Sequence, residues 1–201
     1  DFSEFSDKAL DFALAIAEKF HSQITLFHAV VLFQDDVGEE QRLQEYEEWI
    51  KRREQNIHHQ MNNSQQKAEG RGLKVDSIIK RGVNAADVIV EYLQDHLYDL
   101  VIMGTHGRTG LKHLLLGSVA EKVVRLSPIP VMTIHRSLQK FQVSKILTPI
   151  DFSIYSKNAA DDAIALASHL GSSLEFIHVI EHDIHPSFYA AGIESIFQID
   201  T

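Results

Sequence analysis

Cysteine is absent from the 201 residues. That excludes disulfides and thiolate metal sites, and it fits a reducing, cytoplasmic setting. Also absent is any apolar run near the roughly 18 residues a membrane-spanning helix needs. The opening stretch Asp1–Leu10 is acidic, with no basic segment leading into an apolar one, so it does not read as a signal peptide. Basic excess is missing as well. The 19 Lys+Arg against 28 Asp+Glu leave a net charge of -9, which argues against broad nucleic-acid binding, where cationic surface must displace counterions. One bound nucleotide is not excluded, because backbone amides hold phosphate without side-chain charge. Glycine is sparse at 10 residues, yet four of them fall within Gly104–Val119. What remains is ordinary globular composition, 44% hydrophobic and 23% charged, with enough apolar material for a core.

Along the chain, apolar spacing predicts strands alternating with helices. Ala9, Leu10, Ala13, Leu14 and Ala17 follow a helical period behind Ser3 or Ser6 as N-cap. Gln23–Val30 is β-rich and apolar. From Glu39 to about Glu69 the chain is highly charged, but Leu43, Tyr46, Ile50, Ile57 and Met61 form one stripe, as in a long amphipathic helix covering a sheet. The charges of Glu39–Arg53 read as its solvated face. Strands are expected at Leu73–Ile79, Asp99–Met103 and Pro130–Ile134, with helices over Asn84–His96 and from Ser118. Such alternation implies parallel pairing and an α/β fold.

The chain also repeats itself. Asp151–Ile180 aligns with Asp1–Val30 at an offset of 150, with eleven identities in thirty positions, from Asp1/Asp151 to His28/His178. Before Asp151 stands an apparent strand, Ser144–Ile150, whereas nothing comparable precedes Asp1. The expected organisation is a first repeat over 1–136 lacking its first strand, a linker over 137–143, and the strand–helix–strand opening of a second repeat over 144–201.

The glycine-bearing loop does not fit the common phosphate motifs. There is no Gly-x4-Gly-Lys-Ser/Thr and no Gly-x-Gly-x-x-Gly after the first strand. The pattern present is Gly104-x2-Gly107-x9-Gly117-Ser118, set between a strand and a helix. Ligands of open α/β sheets collect at the carboxyl ends of strands. A helix beginning at Gly117–Ser118 offers free amides and a positive dipole end to an anion, and the Ser118 hydroxyl adds a donor. The bland alternative is a turn and an N-cap. Gly110 reads as a turn residue, His58 and His59 as surface residues of the charged helix. Arg108 and His106 are each open between ligand contact and ordinary loop roles. His178, His182 and His185 have no spacing that dictates a metal site.

This pattern, in the setting "VIMGTHGRTGLKHLLLGSVAEKVVRLSPIPVMTI" together with the two "DFS" segments and the "FHAV" and "IHVI" strand ends, resembles the universal stress protein family. The resemblance implies an open, parallel five-stranded sheet in the order 3-2-1-4-5, helices on both faces, and ATP across the carboxyl ends of the strands. By position it implies that Asp1 lies beside the adenosine and that Ala29 offers a backbone contact to adenine. Met103 and Gly104 would lie under the ribose and phosphates, with His106, Gly107 and Arg108 around the triphosphate and Gly117, Ser118 and Val119 at the phosphate-holding helix start. Pro149, Asp151 and Val179 are the second-repeat equivalents of the adenosine end. The implied cofactor is ATP, with or without Mg2+. No Asp or Glu lies within Gly104–Val119 to serve as a base, and phosphoryl transfer needs a positioned nucleophile and charge stabilisation. A nucleotide-dependent regulatory protein of the stress response is therefore expected, with a slow ATP-hydrolysing enzyme or a ligand-free interaction module as alternatives. Pro130–Ile134 is expected to be an edge strand that pairs with a second copy or with the second repeat. Membranes and nucleic acid are not expected partners.

Overall fold

The computed structural model describes residues 1–31, 41–106, 116–135 and 142–180, without the side chains of 41–47, 49 and 50. The chain divides into two compact units, Asp1–Phe141 and Gln142–Thr201. The first contains α1 (Glu4–Phe20), β1 (Ile24–Val31), α2 (Gln41–Glu69), β2 (Val75–Gly82), α3 (Ala85–Asp95), β3 (Val101–Gly104), α4 (Ser118–Leu126) and β4 (Val131–Ile134). The second contains β5 (Lys145–Pro149), α5 (Ile154–Leu170) and β6 (Ser173–Ile177).

Local chemistry fixes where the helices start. Ser3, not Ser6, caps α1: its hydroxyl accepts the Ser6 N–H at 3.3 Å. Asn84 caps α3 by accepting the amides of Ala86 at 2.9 Å and Asp87 at 3.3 Å. Each such cap satisfies an amide that the helix cannot, worth about 1 kcal/mol.

Every strand pair is parallel. β1 runs beside β2 from Ile24↔Val75 to Val31↔Gly82, β3 beside β4 from Val101↔Val131 to Gly104↔Ile134, and β5 beside β6 from Lys145↔Ser173 to Pro149↔Ile177. Among the described residues these are three separate two-stranded ladders rather than one five-stranded sheet. Among the described residues no ladder hydrogen bond joins β1-β2 to β3-β4. Helices tie the two ladders together. α1 packs on β1, β3 and β4, and α3 on β1, β2 and α4.

Three clusters make the core of the first unit. Leu14 of α1 is fully buried against Ala68 of α2 and Val75 of β2, with Leu10, Ile24, Leu26 and Leu73 around it. Burial of that one leucine contributes roughly 2 kcal/mol. Val30 packs with Ile57 and Met61, two members of the expected α2 stripe, and Phe2 joins them. Ala86, Val90 and Val123 join α3 to α4, with Met103 and Val131 from the strands beneath.

The two stretches alike in sequence are alike in detail. Phe2 and Phe152 both take a left-handed backbone, with φ of 58° and 62°. Ser3 and Ser153 each cap a 17-residue helix by accepting the amide three residues on. Both helices end on a left-handed residue, His21 or Gly171, whose N–H donates to the carbonyl of Ala17 or Ala167. Identical N-cap serines at identical spacing give the same local hydrogen bonds at both helix starts.

Candidate functional site

The carboxyl end of β3 is where the expected residues meet. Met103 and Gly104 are its last two residues, with Met103 half-buried over the α3–α4 cluster. Thr105 and His106 follow at once. The far side of the loop returns at Gly117, whose N–H donates to the Thr105 carbonyl at 2.7 Å. That bond brings the start of α4 to the exit of β3. A Cβ on Gly117 would lie 3.1 Å from the same carbonyl and 3.5 Å from the His106 Cα, so the approach suits glycine. Gly107 and Arg108, the remaining loop candidates, lie outside the described residues, as do Gly110, His182 and His185.

Gly117 is the N-cap of α4 and brings no side-chain oxygen to it. The helix ladder opens with the Glu121 N–H donating to the Gly117 carbonyl at 2.9 Å. The amides of Ser118, Val119 and Ala120 therefore belong to the first turn, which has no helical acceptor for them. Those amides and the positive end of the helix dipole form an anion-receptive surface. Gly117's own amide is engaged by the Thr105 carbonyl and positions the helix start.

The structure gives Gly104 a further role that the sequence does not reveal. A Cβ there would stand 2.8 Å from the Phe5 carbonyl carbon, oxygen and Cβ. The first turn of α1 thus rests directly on the end of β3, on the side to which a Gly104 side chain would project.

Asp1, expected beside the adenosine, turns back on its own helix cap. Its Oδ1 accepts the Ser3 N–H at 3.1 Å and the Ser3 hydroxyl at 2.8 Å. Ala29 lies within β1, opposite Lys80 of β2. In the second unit Asp151 repeats the turn, accepting the Ser153 N–H at 2.9 Å. Hydrogen bonds from the Ser153 side chain, then its backbone, then the Ser156 side chain hold the Asp151 carboxyl down at about 2. Pro149 closes β5 opposite Ile177, and Val179 is exposed just beyond β6. Among the described residues the second unit has no counterpart of the β3 exit and α4.

Several residues that the motif did not single out stand close by. Thr105 is buried, and its Oγ1 lies 3.0 Å from His106 Nδ1 and 3.1 Å from His135 Nδ1. Phe5 lies against both imidazoles, its centroid 5.1 Å from that of His106 and 5.7 Å from that of His135. Phe2 stacks on the buried His28 at 4.8 Å, while Phe152 meets His178 at the same distance with the rings tilted by 56°. The shared Phe and His of the two similar stretches were the available signal for those contacts. No comparable signal marked Thr105 with His135.

Comparison with known proteins agrees with this architecture. The sequence profile of the universal stress protein family matches residues 1–135 and again 142–195. Universal stress protein MJ0577 of Methanocaldococcus jannaschii is 31% identical, over 68% of this chain and 91% of its own length. Universal stress protein YxiE of Bacillus subtilis is 29% identical, over 67% of this chain and 94% of its own. The solved structure of MJ0577 superposes with a TM-score of 0.58, at 30% identity, over 68% of this chain and 92% of that one. A universal stress protein from Archaeoglobus fulgidus superposes with a TM-score of 0.66, at 25% identity, over 98% of this chain and 69% of that one.

Proposed function

The chain belongs to the universal stress protein family, and on that premise we propose that its first unit binds ATP at the β3 exit and acts as a nucleotide-dependent regulatory protein. One observation carries the proposal most: the bond from Gly117 to Thr105 brings the uncapped first turn of α4 to the carboxyl end of β3. Polyphosphate would then meet the amides of Ser118, Val119 and Ala120 and the Ser118 hydroxyl. His106, Gly107 and Arg108 would line the triphosphate, and Asp1 and Ala29 the adenosine, over a floor of Met103 and Gly104.

The finer features of the fold belong to the same proposal. β2-β1 and β3-β4 take the outer positions of the order 3-2-1-4-5, and unit 2 is the opening of a second repeat whose Pro149, Asp151 and Val179 correspond to the adenosine end. The cysteine-free composition accords with a cytoplasmic site of action. Regulation is favoured over catalysis because Gly104–Val119 contains no carboxylate to act as a base.

Mass spectrometry of protein purified and then denatured tests the ligand directly. An adenine nucleotide released in near-stoichiometric amount is the expected result. Preparations without nucleotide that also fail to bind added ATP by calorimetry, with or without Mg2+, would defeat the proposal. Phosphate release near one turnover per second would replace the regulatory role with an enzymatic one.

A further inference from the structure

The two similar stretches share local structure but not burial. Leu14 of α1 is 0% exposed, whereas Ile164, at the matching position of α5, is 51% exposed. Phe2 is half-buried and Phe152 is 77% exposed. Leu26 of β1 is half-buried and its counterpart in β6, Phe176, is exposed. In the first unit these positions form one continuous surface. Leu26 packs both with the Leu14 cluster and with the Val30 cluster that Phe2 joins. Among the described residues of the second unit only Thr148 and Ala167 are buried.

The strand edges differ in the same way. The Ile24 N–H donates to the Lys74 carbonyl at 3.1 Å, so alternation turns the amides of Ile24, Leu26 and His28 toward β2. In β6 the Ser173 N–H donates to the Ser144 carbonyl at 2.9 Å. Ser173, Glu175 and Ile177 therefore face β5, and the amides of Leu174 and Phe176 face the opposite edge. Among the described residues no strand pairs with that edge.

In the first unit the same surface is covered by α2 and β2. Ala68 and Val75 close over Leu14, Ile57 and Met61 pack on Val30 with Phe2, and β2 fills the β1 edge. Charge fixes the end of α2. Lys67 in its last turn pairs with Asp11 at 2.6 Å, and Arg71 lies 3.9 Å from the same carboxylate. Asp161 stands at the matching position of α5, exposed and bridged to Lys157 of its own helix at 2.8 Å.

We propose that α5 and β6 form a docking surface for a partner polypeptide built like α2–β2. Its chemistry is an amphipathic helix with aliphatic side chains on one face and a basic C-terminal end, continuing into a strand that adds parallel to β6. Contiguous exposed apolar surface marks interaction sites, and both helix-in-groove docking and strand addition are recurring modes of recognition. Such docking requires no nucleotide in the first unit.

The probe is a synthetic peptide of residues 54–82, added to the full chain while amide exchange is followed by NMR. It carries Ile57, Met61, Ala68, Lys67, Arg71 and the whole of β2. In the first unit that seat is already filled from within the chain. With peptide at about ten times its Kd, exchange at Leu174 and Phe176 should slow about tenfold. Ile164→Asp should abolish the slowing and Ile164→Leu should retain it; the position is exposed, so neither change disturbs the core. A peptide carrying Ile57→Asp should have no effect. No slowing at Leu174 and Phe176 up to about 1 mM peptide overturns the proposal, as does slowing that persists in Ile164→Asp. Slowing confined to Ile24 and Leu26 means that the peptide exchanges into the first unit and leaves α5 and β6 bare, which overturns it as well. Protection of Leu174 and Phe176 that rises with chain concentration, without peptide, seats a second copy there and overturns it too.

Discussion

The Gly117 amide donates to the Thr105 carbonyl at 2.7 Å, joining two residues twelve apart in sequence. Position 117 therefore has less room than an ordinary helix cap. Gly117→Val would place a branched side chain where even a Cβ is 3.1 Å from that carbonyl. It should push α4 off the end of β3 and lower ATP affinity by at least about 100-fold, or roughly 2.8 kcal/mol. Ser118→Ala keeps the amides and removes only a hydroxyl, for about 1 kcal/mol. Titration calorimetry on the two variants separates these effects; equal, small losses would show that the helix start is not the phosphate site.

Gly104 is open to a simpler test. Gly104→Ala sets a methyl group 2.8 Å from the Phe5 backbone, which cannot give way as a side-chain tip can. An overpacking cost of about 2 kcal/mol should lower Tm by roughly 4–8 °C in a scan made without ligand. An unchanged Tm would mean that α1 slides freely along the end of β3.

The Asp151 carboxyl offers a pH readout. With its titration lowered to about 2 by the Ser153 and Ser156 donors, the carboxylate stabilises the start of α5 at every pH above its ordinary range near 3.9. That contribution is lost as pH falls through the ordinary range toward about 2. Carbon-13 NMR of the side-chain carboxyl should show a midpoint near 2, moving up in Ser153→Ala. An ordinary midpoint in the unmodified chain would mean that the turn at Asp151 is not maintained in solution.

The expected association through β4 can be tested at the edge its hydrogen bonds leave. Pro130 and Ile134 turn their carbonyls to β3, accepting from Val101 at 3.0 Å and Thr105 at 3.2 Å. Strand alternation then turns the Thr133 N–H to the opposite edge. Thr133→Pro removes that donor without removing an amide from the β3 ladder, and edge strands tolerate proline. If two copies pair along this edge, light scattering should show the variant shifted to monomer. An unchanged mass would place any association elsewhere.

Much of this was legible in the sequence, for identifiable reasons. Caps such as Ser3 and Asn84 act within three residues, so the local sequence contains the whole interaction. Ile57 and Met61 are buried because a four-residue step keeps both on one face of α2. Strand ends were less legible, because a partner sets them. β2 is expected over Leu73–Ile79 but extends through Lys80, Arg81 and Gly82, which pair with Ala29, Val30 and Val31. The glycine at 104 was visible, but glycine does not announce what occupies the vacant space; here it is Phe5. Thr105 with His135 was invisible because the pairing of β3 with β4 creates it, and neither residue type signals it alone.

The separation of β1-β2 from β3-β4 bears on cooperativity. No ladder hydrogen bond among the described strands crosses from one ladder to the other; the halves are joined through α1 and α3 and by the Tyr98 hydroxyl donating to Thr25 at 3.3 Å. Such halves are free to open as distinct subglobal units, each with its own free energy. Amide exchange should then resolve two protection classes within one unit. An anion at the mouth of α4 would slow the β3-β4 class first and reach the β1-β2 class through the packing and the Tyr98–Thr25 bond between them.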